Sequence, residues 1–233
     1  MQSANQDSFL SAQSTTDRRP RFEGVNVGTW IGFNTAGLAM TLLNNYQASA
    51  IFDTRGHTPS SRGRIIPELL ARCSALRQVE PHIRTHFSDS LAHTFPFILI
   101  AAHRDEHPHA LRIEWNGQDL LCDTITAPYL EISSGFDLPG VRTARQEALA
   151  PLLEIEDWTT HPILSEHPDA VTDYFQSPHP HAYTVTMSRE DAHTVSHTRI
   201  ILAPDESWLT HIQGPPHRHR EVISSTLRVP ALP

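Results

Sequence analysis

The sequence contains no lysine: its 18 basic residues are all arginine, set against 26 acidic ones for a formal net charge of −8. An acidic chain without a basic run lacks the clustered positive charge that nucleic acids and anionic membrane surfaces require. Arg18, Arg19 and Arg21 form the one local cluster and read as a solvated loop. Cysteine is scarce as well. Cys73 and Cys122 lie far apart and form no CxxC pair, so they fit buried thiols of a reducing compartment better than a disulfide scaffold. No apolar run approaches the roughly 20 residues that span a bilayer. The most apolar stretch, Phe95 to Ala102, suits one buried strand. The opening MQSANQDSFLSAQ has neither a basic start nor an apolar centre and does not read as a secretory signal. The expectation is a cytoplasmic protein with no nucleic-acid partner and no membrane insertion.

What remains is ample for a core: 233 residues, 39% of them hydrophobic. Residues 1–27 are polar and aperiodic and read as a poorly ordered N-terminal arm. From Gly28 the pattern changes. Thr29 to Phe33 and Leu38 to Leu43 are apolar runs separated by Asn34, Thr35, Ala36 and Gly37, a hairpin signal with Asn and Gly available for positive φ. Ser60 or Ser61 offers a cap for one helix carrying Ile65, Ile66, Leu69, Leu70, Cys73 and Leu76 at helical spacing, with Pro67 tolerated near its start. Strands are expected over 95–102, 110–115, 120–125 and 129–132, with a hairpin turn at Asn116-Gly117. Pro139 opens a second helix through Leu153, with Val141, Ala144, Ala148, Leu149 and Leu152 on one face. Three more strands follow over 183–187, 194–202 and 208–212. Residues 217–233 read as a tail. No repeat or linker interrupts 28–216, which is expected to form one α+β domain.

Sixteen histidines invite a metal reading. His103, Glu106, His107 and His109 share one loop, His179 and His181 alternate, as do His217 and His219, and His193 and His197 flank a strand start. No HExxH or comparable convergent spacing is present, and Pro108 forbids a regular helix in the first cluster, so exposed loop histidines are the reading and no metal or cofactor is expected. Ser134 in Ser133-Ser134-Gly135 sits like an exposed elbow, but no GxSxG accompanies it, and a tight turn with Gly135 at positive φ is favoured. Asp53, Arg55, Arg62, Arg104, Asp105, Arg142 and Arg145 could line an anion pocket. Arg62 is the most specific of them, because it precedes a helix N-terminus. Its structural alternative is pairing with a carboxylate to fix the loop. Trp30 and Trp115 fall in strand patterns and read as core.

Several short motifs fall in one order: Gly28-Thr29-Trp30-Ile31-Gly32, Leu43-Asn44-Asn45, Ser61-Arg62-Gly63, Phe95-Pro96-Phe97-Ile98-Leu99, Ser133-Ser134-Gly135, and Met187 to Ser196 followed by Gly214-Pro215-Pro216. In this the chain resembles the NRDE family, also called the transport-and-Golgi-organisation (Tango-type) family, over residues 28–216. The resemblance implies an αββα four-layer sandwich like that of N-terminal nucleophile hydrolases, with two antiparallel sheets between helices. It also implies a Cys nucleophile directly after the initiator Met, with its own α-amine as base, and an Asn-Arg-Asp-Glu motif one strand later.

This sequence departs from that pattern. Residue 2 is Gln2, and the nearest match to the motif is Ala4-Asn5-Gln6-Asp7, with no strand ahead of it. Two functional classes follow. The first is a non-catalytic protein that binds a small acyl or lipid-like ligand, or haem, in the groove between sheets. The residues assigned to that ligand are Trp30, Asn44, Asn45, Ser61, Arg62 and Arg189. The alternative is a cysteine amidohydrolase or acyltransferase whose nucleophile lies upstream, with Asn5, Asp7, Asn44 and Ser134 as its remaining candidates. An unpaired edge where the first strand would sit predicts homodimerisation or poor solubility.

Overall fold

Period-two alternation and antiparallel pairing sort the apolar side chains of the first half of the chain onto one face of a sheet. The computed structural model describes residues 28–50, 52, 56, 60–106, 109–126, 129–153, 179–203, 207–213 and 222–227. Strands β1 (Ile31–Phe33), β2 (Leu38–Asn44), β3 (Phe97–His103), β4 (His109–Trp115) and β5 (Leu120–Thr126) form an antiparallel sheet in the order β1-β2-β3-β4-β5. Its register sets Met40 opposite Ala101, Leu42 opposite Leu99, Leu99 opposite Ile113, and Phe97 opposite Trp115. These residues share one face and one core with Ile66, Leu69 and Leu70 of α2 (Ile65–Arg72) and Val79 and Ile83 of α3 (Leu76–His86). Short helices α1 (Tyr46–Ser49) and α4 (Ser88–Leu91) precede and follow this pair. Trp115 is core as expected, its indole N–H donating to the Thr94 carbonyl at 2.9 Å.

Both expected hairpins form, by different means. At 116–119 Gly117 takes φ 98°, and the Asn116 Oδ1 accepts from the backbone N–H of Gln118 and Asp119, each at 2.8 Å. At 34–37 Gly37 takes φ 88°. Asn34 does something else. Fully buried, it donates from Nδ2 to the carbonyls of Leu70 and Cys73 at 2.8 Å each, and its Oδ1 accepts from Ala36 and Leu38 N–H at 3.1 Å each.

That amide explains why the single helix expected from Ser61 to Leu76 is divided. Asn34 takes carbonyls at the end of α2, and Cys73 turns extended at φ −105°, ψ 138°. The chain restarts at α3, where the Glu106 carboxylate accepts from the Leu76 N–H at 3.1 Å, a helix cap supplied from the β3–β4 turn. Ser61 does cap, but it caps the 3₁₀ turn Arg62–Arg64, accepting from Gly63 N–H at 3.2 Å.

Two expected strands do not form. Residues 129–132 are irregular, a four-residue run with no partner strand among the described residues. Over 183–187 the hydroxyls intercept the backbone: Thr184 Oγ1 lies 2.7 Å from the Thr186 carbonyl, and Thr194 Oγ1 accepts from Met187 N–H at 2.8 Å. Only the isolated bridge Ser188–His193 is left there. Helix α5 (Leu138–Leu153) matches its expected span. Of its expected apolar face Val141 is fully buried, whereas Ala148 is exposed.

A second sheet, in the order β6-β7-β8, comprises β6 (Ser196–Leu202), β7 (Ser207–Gln213) and β8 (Val222–Leu227). β8 lies within 217–233, the stretch expected to be a tail. The architecture is mixed α+β, and the chain divides into two compact units, the five-stranded sheet in one and α5 in the other. Among the described residues no helix is long and apolar enough to cross a membrane.

Candidate functional site

Motif pieces scattered over the first hundred residues converge at the Asn44 end of β2. The Thr29 N–H donates to the Gly63 carbonyl at 3.0 Å, and a Cβ on Gly28 would stand 2.7 Å from the Gly63 Cα, so these two glycines let the segments touch backbone to backbone. The Pro96 carbonyl accepts twice: from the Asn45 backbone N–H at 3.1 Å and from Arg62 Nη1 at 3.0 Å. The Gly28, Asn45, Arg62 and Pro96 motifs are therefore parts of one surface.

Arg62 lies with its guanidinium carbon 5.8 Å from the centre of the Phe95 ring. It pairs with no carboxylate among the described residues. It holds the Phe95-Pro96 loop through a carbonyl, which leaves its Nε and Nη2 without a hydrogen-bond partner among the described residues. Its half-burial lowers the guanidinium pKa from the ordinary arginine value, partly offset by the Tyr46 phenol. Asn45 is buried. Its Nδ2 donates to Glu114 Oε1 at 2.8 Å, its Oδ1 caps α1 at Ala48 N–H, and Glu114 is held in turn by Arg112 at 2.8 Å. Asn44 Nδ2 donates to the Tyr46 hydroxyl at 3.0 Å.

Phe95 beneath Arg62 and Tyr46 beside Asn44 are exposed to 37% and 47%, and Trp30, next in the chain to Thr29, is exposed to 49%. Trp30 was expected in the core. It sits one residue ahead of β1, at the end of the sheet, with its carbonyl accepting from Leu42 N–H at 2.8 Å. Exposed rings of this size, beside a guanidinium with unused donors, form an amphipathic patch able to take an apolar body and an anionic head. Of the residues assigned to a ligand from the sequence, Asn44, Asn45 and Arg62 lie together here; Tyr46 and Glu114 were not among them, and the signal for Tyr46 was its place directly after Asn44-Asn45.

Ser134 and Arg189 come together in the second unit, on Phe136. Arg189 lies 4.9 Å from the Phe136 ring centre and makes a two-pronged ion pair with Asp191 at 2.9 and 3.1 Å. Ser134 Oγ donates to the Phe136 carbonyl at 2.6 Å and accepts from its N–H at 3.1 Å. The hydroxyl thus closes a turn and is not aimed as a nucleophile. Positive φ in this stretch falls on Asp137 (29°). The Asp137 carboxylate accepts from Gly140 N–H at the start of α5 and from the Tyr183 hydroxyl. Asn5, Asp7, Asp53 and Arg55 lie outside the described residues.

The remaining groups have structural work. His103 is buried, not an exposed loop histidine: Asp105 N–H donates to its Nδ1 at 3.2 Å, which leaves Nε2 to donate to the Ala36 carbonyl at 2.9 Å. Arg104 packs against Gly37 with Nε 3.5 Å from Asp105, and Arg145 donates to the carbonyls of Tyr183 and Thr184. No group of three or more His, Cys, Asp or Glu side chains in metal-ligating geometry is found among the described residues.

Neither cysteine is an activated nucleophile. Burial pushes the Cys73 thiol from an ordinary 9.0 up to about 11. Burial, then Glu80, does the same to Cys122. Two units of added pKa leave about 100-fold less thiolate at neutral pH. Alkylation by iodoacetamide in the folded protein should accordingly run at least about 100-fold slower than in urea. Equal rates in the two conditions would show that a reactive thiol is present. Compared with known proteins, the chain matches no family model and no curated sequence.

Proposed function

We propose that this chain is an NRDE-type protein of the αββα class that binds a small acyl or lipid-like anion without processing it. The observation that supports this reading is the surface built by the Gly28, Asn45, Arg62 and Pro96 motifs: a half-buried arginine with donors to spare beside exposed Phe95 and Tyr46, with exposed Trp30 next in the chain to Thr29. A carboxylate or similar head group would complete the Arg62 fork, replacing water with a charge-assisted pair. Its hydrocarbon would cover ring surface that is otherwise wet. The αββα class rests on the family resemblance together with a mixed α+β architecture that holds a five-stranded antiparallel sheet and a second, three-stranded sheet. Acyl-transfer chemistry gains no support from Ser134, whose hydroxyl is engaged in its turn, or from two thiols held at about 11.

Dodecanoate is a suitable probe. At a hundredfold excess over its dissociation constant it should raise stability by about 2.7 kcal/mol, a shift of several degrees in melting temperature. Trp30 emission should move to shorter wavelength as its ring is covered. Arg62→Gln should abolish both effects, while its own melting temperature falls only by the loss of one hydrogen bond to Pro96, about 1 kcal/mol. If dodecanoate, hexadecanoate and haemin all leave the melting temperature and the tryptophan emission of the wild-type chain unchanged, the reading is wrong.

A further inference from the structure

The five-stranded sheet ends on β5, and the outer edge of that strand is open. β5 pairs with β4 in unbroken register, from Trp115 opposite Leu120 to His109 opposite Thr126. In an antiparallel ladder alternate residues turn both backbone groups toward the same neighbour. At the turn the Asn116 N–H donates to the Asp119 carbonyl. Leu121, Asp123 and Ile125 therefore bond β4, and Leu120, Cys122, Thr124 and Thr126 turn their N–H and C=O groups outward. The Leu120 carbonyl agrees with this phase, since it accepts from Arg84 Nη2 of α3 at 2.8 Å. Among the described residues no strand takes the outward groups of Cys122, Thr124 and Thr126, and Asp123, Thr124 and Thr126 are exposed.

Sheet edges are ordinarily guarded by proline, by a basic side chain, by a bulge or by a covering segment. β5, LLCDTIT, has no proline and no basic residue, and its register has no bulge. Its one charge, Asp123, lies opposite Arg112 of β4. Arg84 guards the Leu120 end and leaves residues 122–126 free to pair. Set antiparallel against itself, this segment is self-complementary in one register. With Thr124 opposite its own copy, Cys122 faces Thr126 and Asp123 faces Ile125, and the outward N–H and C=O groups of Cys122, Thr124 and Thr126 are all satisfied. Centring on Asp123 would set two carboxylates side by side, and centring on Cys122 would need the Leu120 carbonyl that Arg84 holds.

We propose that β5 is the contact of a two-fold dimer, in which residues 122–126 of two copies pair antiparallel about Thr124 and join two five-stranded sheets into one. A second copy is the occupant because it brings an edge of the same length with the same unpaired groups, and in this register it sets no charge against Asp123. The contact lies at the opposite end of the sheet from β1, the edge of three residues nearest to where the sequence pattern places a missing strand. So short a segment buries less than the roughly 1,200 Å² of a stable interface, so the association is weak and reversible, of micromolar order or above.

Sedimentation equilibrium of the full chain, over a dilution series of about 5 to 500 µM, tests this. The wild type should move reversibly from monomer toward dimer and go no further, because a two-fold contact closes on itself. Thr124→Pro should weaken the association at least about tenfold, because it removes the N–H at the centre of the pairing. Its melting temperature should stay near that of the wild type, since that N–H lies outside the β4 ladder and proline is tolerated on an edge facing solvent. Thr124→Lys keeps the backbone N–H and should have the same effect on association, by setting two ammonium groups together at the two-fold axis. A wild type that stays monomeric throughout the series would overturn the proposal. So would growth beyond a dimer, or a dimer that survives both substitutions.

Discussion

Asn34→Ala is expected to cost the fold roughly 3 to 5 kcal/mol, a large fraction of the stability of an ordinary domain. The reason is the number of partners left behind. The Asn34 amide satisfies the Leu70 and Cys73 carbonyls and the Ala36 and Leu38 N–H groups in a fully buried position. Alanine removes all four bonds, fills none of the space, and frees the end of α2 from the β1–β2 turn. Asn34→Asp separates the donors from the acceptor. It keeps the oxygen that serves Ala36 and Leu38 but turns a carboxylate oxygen toward two carbonyls, so it should be at least as damaging as alanine at neutral pH. Urea denaturation of the two variants measures this. A cost below about 1 kcal/mol for alanine would mean that water replaces the amide and that α2 is not pinned by it.

The second large effect is a loss of stability in acid that originates at His197. On β6, burial first, then the charge of Arg199 and the neighbouring His211, lowers the His197 pKa from 6.5 to about 4. A folded-state pKa below the unfolded value means that the folded protein binds the proton less readily. The stability due to neutral His197 is therefore fully present above about pH 6.5 and is lost as pH falls toward 4. Allowing for residual exposure, the loss is roughly 2 to 3 kcal/mol across that window. His197→Gln should flatten the curve there, and the wild-type minus variant difference isolates this group from carboxylates that titrate in the same range. Parallel curves for the two proteins between pH 4 and 6.5 would remove His197 as the cause.

The sheet of the first unit could be read from its sequence because each strand alternates and each turn carries its own chemistry: Gly37 and Gly117 at positive φ, Asn116 closing its loop. The division between α2 and α3 could not. Its cause is the long-range amide of Asn34 and the carboxylate of Glu106, residues 36 and 30 positions from the groups they cap. Periodicity has no access to such partners, and the apolar spacing through Cys73 ran on as though the helix did. The missing strand at 183–187 has a cause carried by nearby residues, since Thr184 and Thr194 offer hydroxyls that compete with ladder pairing.

The site shows the same contrast. Arg62 and Asn45 were identifiable as motif residues. That both donate to one carbonyl, Pro96, is a property of the fold. Trp30 was misplaced in the core because alternation shows which side chains share a face but not where the sheet ends.

Reversible binding of an acyl anion at the Arg62 surface is tested by intact-mass analysis of the full chain with dodecanoate. Sprayed under native conditions, the wild type should carry one dodecanoate that Arg62→Gln does not, and after denaturation the wild-type mass should return to that of the bare chain. A bare mass under native conditions would contradict such binding, and so would a dodecanoyl increment that survives denaturation, since that would show covalent acyl chemistry in its place.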